Sequence, residues 1–304
     1  MCIQFGLAGF TNSASGLWTF VDVHDGDFVS FLYGARVFNL YEVVRKTAYL
    51  NADQLPPWPP VTFQPSGLTY YFPFRAALRH VREFNEPLVR SEFAYVGENL
   101  LLRGGYRKTH FQADQTTLQA VSEMGVLSQA NGKTLDVRGA KAFAPRFTTD
   151  KSKVQTPQTF LFRELFLQAI VRSHLSVGSN LKVLLTGTGL AEVDPNTLEV
   201  LSEKAFPEGH VDLLIKEAAP KGVSKKVVIE VKRRAAVKGD ILQLLKYRAT
   251  LGQECAGAVL ISSGASSKVR DLASAEEVTL RDYALDFPSD PVSFDELLDR
   301  FRIV

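Results

Sequence analysis

A chain of 304 residues exceeds one typical domain, so two domains are expected; 45% hydrophobic and 22% charged residues exclude a disordered chain and permit a core that needs no staples. Cys2 and Cys255 are the only cysteines and show no Cys/His ligand spacing, and no apolar run reaches the roughly 18 residues of a membrane helix, so zinc, disulfide and membrane-spanning readings fall away. The formal net charge is +2, and the N-terminus lacks the basic start of a secretion signal, so a reducing cytoplasm is the expected setting.

In chain order, residues 18–48 read as short strands with tight turns. His24–Phe28 (HDGDF) marks a turn, while Phe28–Gly34 and Val37–Val44 are strands. A proline-rich loop, LPPWPP (Leu55–Pro60), precedes the extended run Leu68–Val81. Asp114 is an N-cap for a helix ending near Gly125. This half sets Trp18, Trp58, Tyr70 and Tyr71 beside turns, interleaved with Arg75, Arg79, Arg82, Arg90, Arg103, Arg107 and Lys108. Aromatics among arginines suit base stacking with phosphate binding, and they equally suit the packing of a β-rich core.

Residues 128–155 are polar, with Gly and Ser, and read as the connection between the domains. A helix is expected next, with Thr156 as N-cap, Pro157 at its first position and FLFRELFLQAIVRSHL continuing the pattern. Leu181–Gly187, a hairpin-like Ala191–Leu201, and the strands VDLLI (Val211–Ile215) and KVVIEVK (Lys226–Lys232) follow. Then come a helix around Asp240–Thr250, the apolar strand Ala256–Ser262, and a last helix with a Ser293/Glu296 capping box. Helix, strands, helix and strand in that order imply a mixed sheet flanked by helices.

The chemistry concentrates between His210 and Arg248. Along a strand alternate side chains share a face, so Glu230 and Lys232 project together, and a pairing of KVVIEVK with VDLLI brings Asp212 to the same edge. Two carboxylates there can hold Mg²⁺ through oxygen, with Mn²⁺ as a substitute, and Lys232 can orient or deprotonate the attacking water. Glu164 lies among Phe160, Phe162, Leu165, Phe166 and Leu167; a metal contact, a salt bridge to Arg163 or exposure on a narrow polar face would each accommodate it. From Lys221 to Arg248 there are nine Lys/Arg against two acids, and from Asp271 to the end nine acids against three arginines. Arg233 and Arg234 are therefore candidates for phosphate contact, with a salt bridge to the acidic tail as the plain alternative.

Glu164, Asp212, Glu230, Lys232 and Gln243 follow the order of the PD-(D/E)xK nuclease superfamily, which residues 156–265 resemble. GHVDLLI, VVIEVKRR and QLLKY are similar to archaeal NucS-type endonucleases and to several restriction enzymes, with Val211 in place of the proline often found before the aspartate. The resemblance implies metal ligands at Asp212, Glu230 and Glu164, and catalytic roles for these three with Lys232 and Gln243. Residues 1–110, through GLW, DGDFVSFLYG, VFNLYEVV and YYFPFRAAL in that order, resemble the EVE/YTH branch of PUA-like domains. That implies a small β-barrel whose aromatic cage holds a flipped base. Trp18, Trp58 and Tyr70 are assigned to the cage, and Asn12 and Ser13 to the base edges.

The expected protein is α/β (α+β). Residues 1–127 form a PUA-like β-barrel for base recognition, 128–155 a linker, and 156–304 a PD-(D/E)xK mixed sheet flanked by helices. Its expected function is Mg²⁺-dependent cleavage of double-stranded DNA, of restriction type and with a modified base as one form of target. Cutting both strands with one site per chain implies a homodimer. The alternatives are a NucS-like mismatch or branched-DNA repair endonuclease, a non-catalytic nucleic-acid-binding protein, and RNA as substrate.

Overall fold

Strand pairing organises both halves of the chain in an α+β fold. The structure, a computed structural model, describes residues 2–33, 36–88, 123, 125–128, 135, 137–206, 209–219 and 222–304. Asp114, Arg90, Arg103, Arg107 and Lys108 lie outside the described residues. The chain divides into two compact units, with the described boundary between Leu161 and Phe162.

The first unit contains α1 (Cys2–Phe5), β1 (Leu7–Phe10), α2 (Ala14–Asp22), β2 (Phe28–Val29), β3 (Leu32–Tyr33) and β4 (Arg36–Tyr49). After these come β5 (Val61–Phe63), β6 (Leu68–Tyr70), β7 (Phe74–Leu88), β8 (Val126–Leu127), β9 (Ala142–Phe143), β10 (Arg146–Thr148) and β11 (Thr159–Leu161). The main sheet runs β1-β7-β4-β2, with β3 and β9 also paired to β4 and β8 to β7. Its two long strands, β4 and β7, are antiparallel with register shifts at Val37/Asn39, Leu40/Tyr41 and Val43/Arg45. Each shift increases twist and bends the strand, which curls the sheet into a half-barrel.

Residues 18–22, expected in a strand, are helical. Ser13 Oγ accepts the Gly16 N–H at 3.1 Å as an N-cap, and Leu17, Trp18 and Val21 turn one face into the core. A Cβ on Gly16 would stand 2.0 Å from the Thr11 carbonyl oxygen, so the helix enters at a distance only glycine allows. The cap and the close approach are tertiary facts that strand propensity does not register.

The second unit contains α3 (Glu164–Leu175), α4 (Gly178–Leu185), β12 (Leu198–Phe206), β13 (Gly209–Glu217), β14 (Lys226–Val231) and α5 (Lys238–Leu251). These lead to β15 (Cys255–Ser262), α6 (Ser267–Ala275), β16 (Val278–Leu285), β17 (Val292–Ser293), α7 (Phe294–Arg300) and β18 (Phe301–Ile303). The sheet order is β12-β13-β14-β15-β16-β18. It is mixed: β13 meets β14 antiparallel, and β14, β15 and β16 run parallel. Val228, Leu260, Ile241, Leu244 and Tyr247 are buried together where α5 packs on this sheet. The Ser293/Glu296 capping box forms at the start of α7.

One expectation is corrected here. The helix does not begin at Pro157: Thr159–Leu161 is a strand paired in parallel with Arg146–Thr148, and α3 starts at Glu164. Thr159 and Phe160 are good strand formers, and this pairing overrides the local N-cap signal. Leu181–Leu185 lies in α4, with Leu181, Leu184 and Leu185 buried at the spacing of one helical face.

Arg75 on β7 is only 2% exposed, although it is the largest fully buried side chain. Its guanidinium donates to the carbonyls of Phe72 (3.1 Å), Pro56 (2.6 Å), Leu55 (3.3 Å) and Ala52 (3.5 Å). It also faces the rings of Tyr49 and Trp58, at 5.5 and 5.4 Å. Burial pulls its pKa below the ordinary guanidinium value, with the Tyr49 charge opposing. One cation thereby fixes the proline-rich loop against the sheet. Replacing it with leucine removes these donors and strands buried carbonyls. Arg75→Leu is expected to lower unfolding stability by about 3 kcal/mol, read by chemical denaturation.

Candidate active site

The carboxylate site forms where the β13–β14 ladder ends. Paired residues run from Lys216↔Lys226 to Leu213↔Ile229, and the next positions in register are Asp212 and Glu230. Beyond the ladder, Asp212 Oδ2 accepts the Val231 N–H at 2.9 Å, so a side chain replaces the missing strand partner. On its other side β14 stays paired, with Glu230 opposite Leu260 on β15. Asp212 is therefore 8% exposed and Glu230 only 1%.

Lys232, one residue past β14, binds these acids together. Its Nζ lies 2.6 Å from Glu230 Oε1, 3.4 Å from Glu164 Oε1 and 3.9 Å from Asp212 Oδ2. Glu164 opens α3, where a carboxylate also meets the favourable end of the helix dipole. Its other oxygen accepts the Arg233 N–H at 3.1 Å. Arg163, the alternative partner considered for Glu164, is the N-cap residue of α3 and makes no side-chain cap bond. Asp212 and Glu230 stand side by side, and Glu164 reaches them through Lys232.

Burial, and then the neighbouring charge of Asp212, push the Glu230 carboxyl up to about 8, with Lys232 opposing both. Burial works against the Lys232 ammonium, but the nearby charges of Asp212 and Glu230 outweigh it and raise its pKa. Lys232 is thus held as a cation, the form that stabilises negative charge.

These residues fit a hard divalent cation. Among the described residues, no three His, Cys, Asp or Glu side chains converge on one point. Asp212 and Glu230 nevertheless offer adjacent oxygens that share a hydrogen bond while Glu230 is protonated; once it ionises, no donor among the described residues meets its buried Oε2. A buried carboxylate oxygen left this way is costly, and an ion with oxygen preference would satisfy it.

Around this centre the other expected residues occupy distinct places. Gln243 Nε2 donates to the Tyr247 hydroxyl at 2.9 Å, which donates to the His210 carbonyl at 2.9 Å. Gln243 therefore braces β13 two residues before Asp212. Burial pushes Tyr247 up to about 12, so its hydroxyl stays protonated and donating. Arg234 makes a two-pronged ion pair with Asp240, both contacts at 2.8 Å, in place of the alternative pairing with the acidic tail. Arg233 sends its guanidinium to the Phe162 carbonyl at 3.3 Å. Tyr283, which the sequence pattern did not single out, donates its hydroxyl to the Arg233 carbonyl at 2.9 Å. No local signal marks it, because β16 reaches the site only through sheet order.

In the first unit, Trp18 is 3% exposed and presents no open stacking face. Trp58 is half-buried between Phe72, 5.4 Å away, and the Arg75 guanidinium. Ser13 caps α2, and Tyr70 is half-buried on β6. The Asn12 N–H donates to the Tyr71 carbonyl at 3.0 Å, and its side-chain amide reaches the Thr69 carbonyl at 3.5 Å.

No family profile matches the sequence. No curated protein matches it. Among solved structures, one described as an EndoMS–dsDNA2 complex is similar over 40% of this chain and 45% of that chain, with 23% identity and a TM-score of 0.28. A repair endonuclease from Pyrococcus abyssi is similar over 36% of this chain and 47% of that one, with 20% identity and a TM-score of 0.26. The chain thus spans less than half the length of either.

The raised Glu230 pKa has a consequence for stability. The folded value (about 8) lies above the ordinary value (4.5), so the protonated form is favoured by folding. That contribution is complete below about pH 4.5 and is lost as pH rises through about 8. The slope from this group is at most about 1.4 kcal/mol per pH unit. In metal-free protein, Glu230→Gln is expected to flatten this dependence and to raise stability at the alkaline end, measured by denaturation across that window.

Proposed function

We propose that the chain is a metal-dependent DNA endonuclease whose cleavage site is Asp212, Glu230 and Lys232. The observation that carries this reading is a lysine held against two adjacent buried carboxyl groups that can share a hydrogen bond only while one of them is protonated. Asp212 and Glu230 would hold Mg²⁺, or Mn²⁺ in its place. When bound, the ion supplies positive charge against the scissile phosphate and makes water a better nucleophile.

The chain's own groups do the rest. Lys232 stays protonated beside its carboxylates and stabilises charge that builds on the phosphate. Glu164 anchors both the Lys232 ammonium and the Arg233 N–H, which fixes the lysine's direction. Gln243 and Tyr247 hold the strand that carries Asp212. Arg233 is placed to meet the nucleic-acid backbone, while Arg234 is engaged by Asp240.

The first unit supplies target recognition in this proposal. Trp58 has its ring braced by Phe72 and Arg75, and Tyr70 lies on the adjoining β6. Asn12 Oδ1 is buried without a hydrogen-bond partner among the described residues, an acceptor suited to a base amino group. A restriction-type enzyme that reads a base, including a modified one, and cuts both strands as a homodimer is the form this arrangement supports. Matched, mismatched and methylated duplexes, with RNA alongside, discriminate the substrate.

Asp212→Ala and Lys232→Ala are each expected to reduce Mg²⁺-dependent plasmid cleavage by about 100-fold or more. Cleavage that persists undiminished in either variant places the site elsewhere.

A further inference from the structure

Strands β14 and β15 are parallel neighbours, so both deliver their outgoing loops to one edge of the sheet. Beyond the strands the loops remain joined. The Lys232 N–H donates to the Ile261 carbonyl at 2.8 Å, and the Ala236 N–H donates to the Gly264 carbonyl at 2.8 Å. Ala236 and Ala265 form a parallel bridge. Helices α5 and α6 start just beyond it, with Lys238 and Lys268 in their first turns. The two segments therefore make a single rim that begins at the Lys232 site.

The cations on this rim are of two kinds. Arg234 is consumed by Asp240, and Arg270 pairs with Asp282. Arg233, Lys238 and Lys268 are exposed, and none of the ion pairs among the described residues uses their side chains. Exposed Ser263, Ser266 and Ser267 lie between them in the joined segments. Neither Lys232–Gly239 nor Ser263–Arg270 contains an acidic residue; Asp240, which follows the first, is buried against Arg234, and the exposed Asp271 follows the second.

We infer that this rim is the track along which the sugar-phosphate backbone of a DNA duplex lies as it enters the Asp212–Glu230 site. The inference rests on the nuclease reading for the identity of the polyanion. It assigns backbone contact to Lys238 and Lys268 together with Arg233, and removes Arg234 from that role. Such contacts release counterions and carry no sequence information, so each appears in the salt dependence of binding.

The test is binding of a fluorescein-labelled DNA duplex to the full chain in EDTA, followed by anisotropy over a potassium chloride series. Lys238→Gln and Lys268→Gln are each expected to make the slope of log K against log salt shallower by about 0.9, and the double variant by about twice that. Thermal melting should match the wild type, because both side chains are at the surface. An unchanged slope in the double variant, or no binding by the wild type, overturns the inference. Cleavage with Mg²⁺ is measured on the same preparations. Altered slopes without any cleavage keep the rim and remove the nuclease reading; cleavage with unchanged slopes does the reverse.

Discussion

Everything at the candidate site depends on one ammonium group. Asp212 and Glu230 sit at the end of a sheet ladder, buried and side by side, where two ionised carboxylates would repel and neither is well hydrated. Lys232 stands between them and Glu164, so a single cation serves three acids drawn from β13, β14 and the start of α3. The compensation is incomplete. Glu230 stays hard to ionise, and once ionised one of its oxygens meets no donor among the described residues. Acidic oxygen here exceeds what the one fixed cation compensates, unlike a neutral ion pair.

Holding that ammonium in place requires a second layer of polar contacts. The backbone of Arg233 is the node: its N–H meets Glu164, and its carbonyl accepts from Tyr283. Opposite, the Gln243–Tyr247–His210 chain steadies the strand bearing Asp212. These groups act on the orientation of other side chains.

The first unit solves a related problem by other means. Arg75 is also a buried cation, yet it has carbonyl oxygens around it where Lys232 has carboxylates. Its guanidinium has donors enough to bind a whole loop, and the flat faces of Tyr49 and Trp58 fit against it. The result is a rigid loop carrying an aromatic ring, whereas Lys232 yields a charged centre. In the first case the cation ties the carbonyls of one loop together, and in the second it ties acids from three elements together.

The parts of the site that are close in the chain or repeat with strand period are legible in the residues alone. Glu230 and Lys232 share a face because they are two apart on a strand, and the apolar runs around Asp212 and Glu230 specify buried neighbours that pair. The α+β class and the α7 capping box were legible for the same reason, since local periodicity and cap chemistry are properties of short segments. The remaining features involve partners far apart in the chain and emerge only once it is folded. Arg234 could be matched to the acidic tail by charge alone, but the turn into α5 delivers it to Asp240. The resemblance assigns Trp18 to an aromatic cage, but the Ser13 cap and the tight contact at Gly16 fold it into a core helix. Helix α3 begins at Glu164 because Thr159–Leu161 is taken up by β10, and Tyr283 joins the site only because β16 lies beyond β15 in the sheet. Each was settled by competition among distant partners for burial and hydrogen bonds, which local sequence signals do not contain.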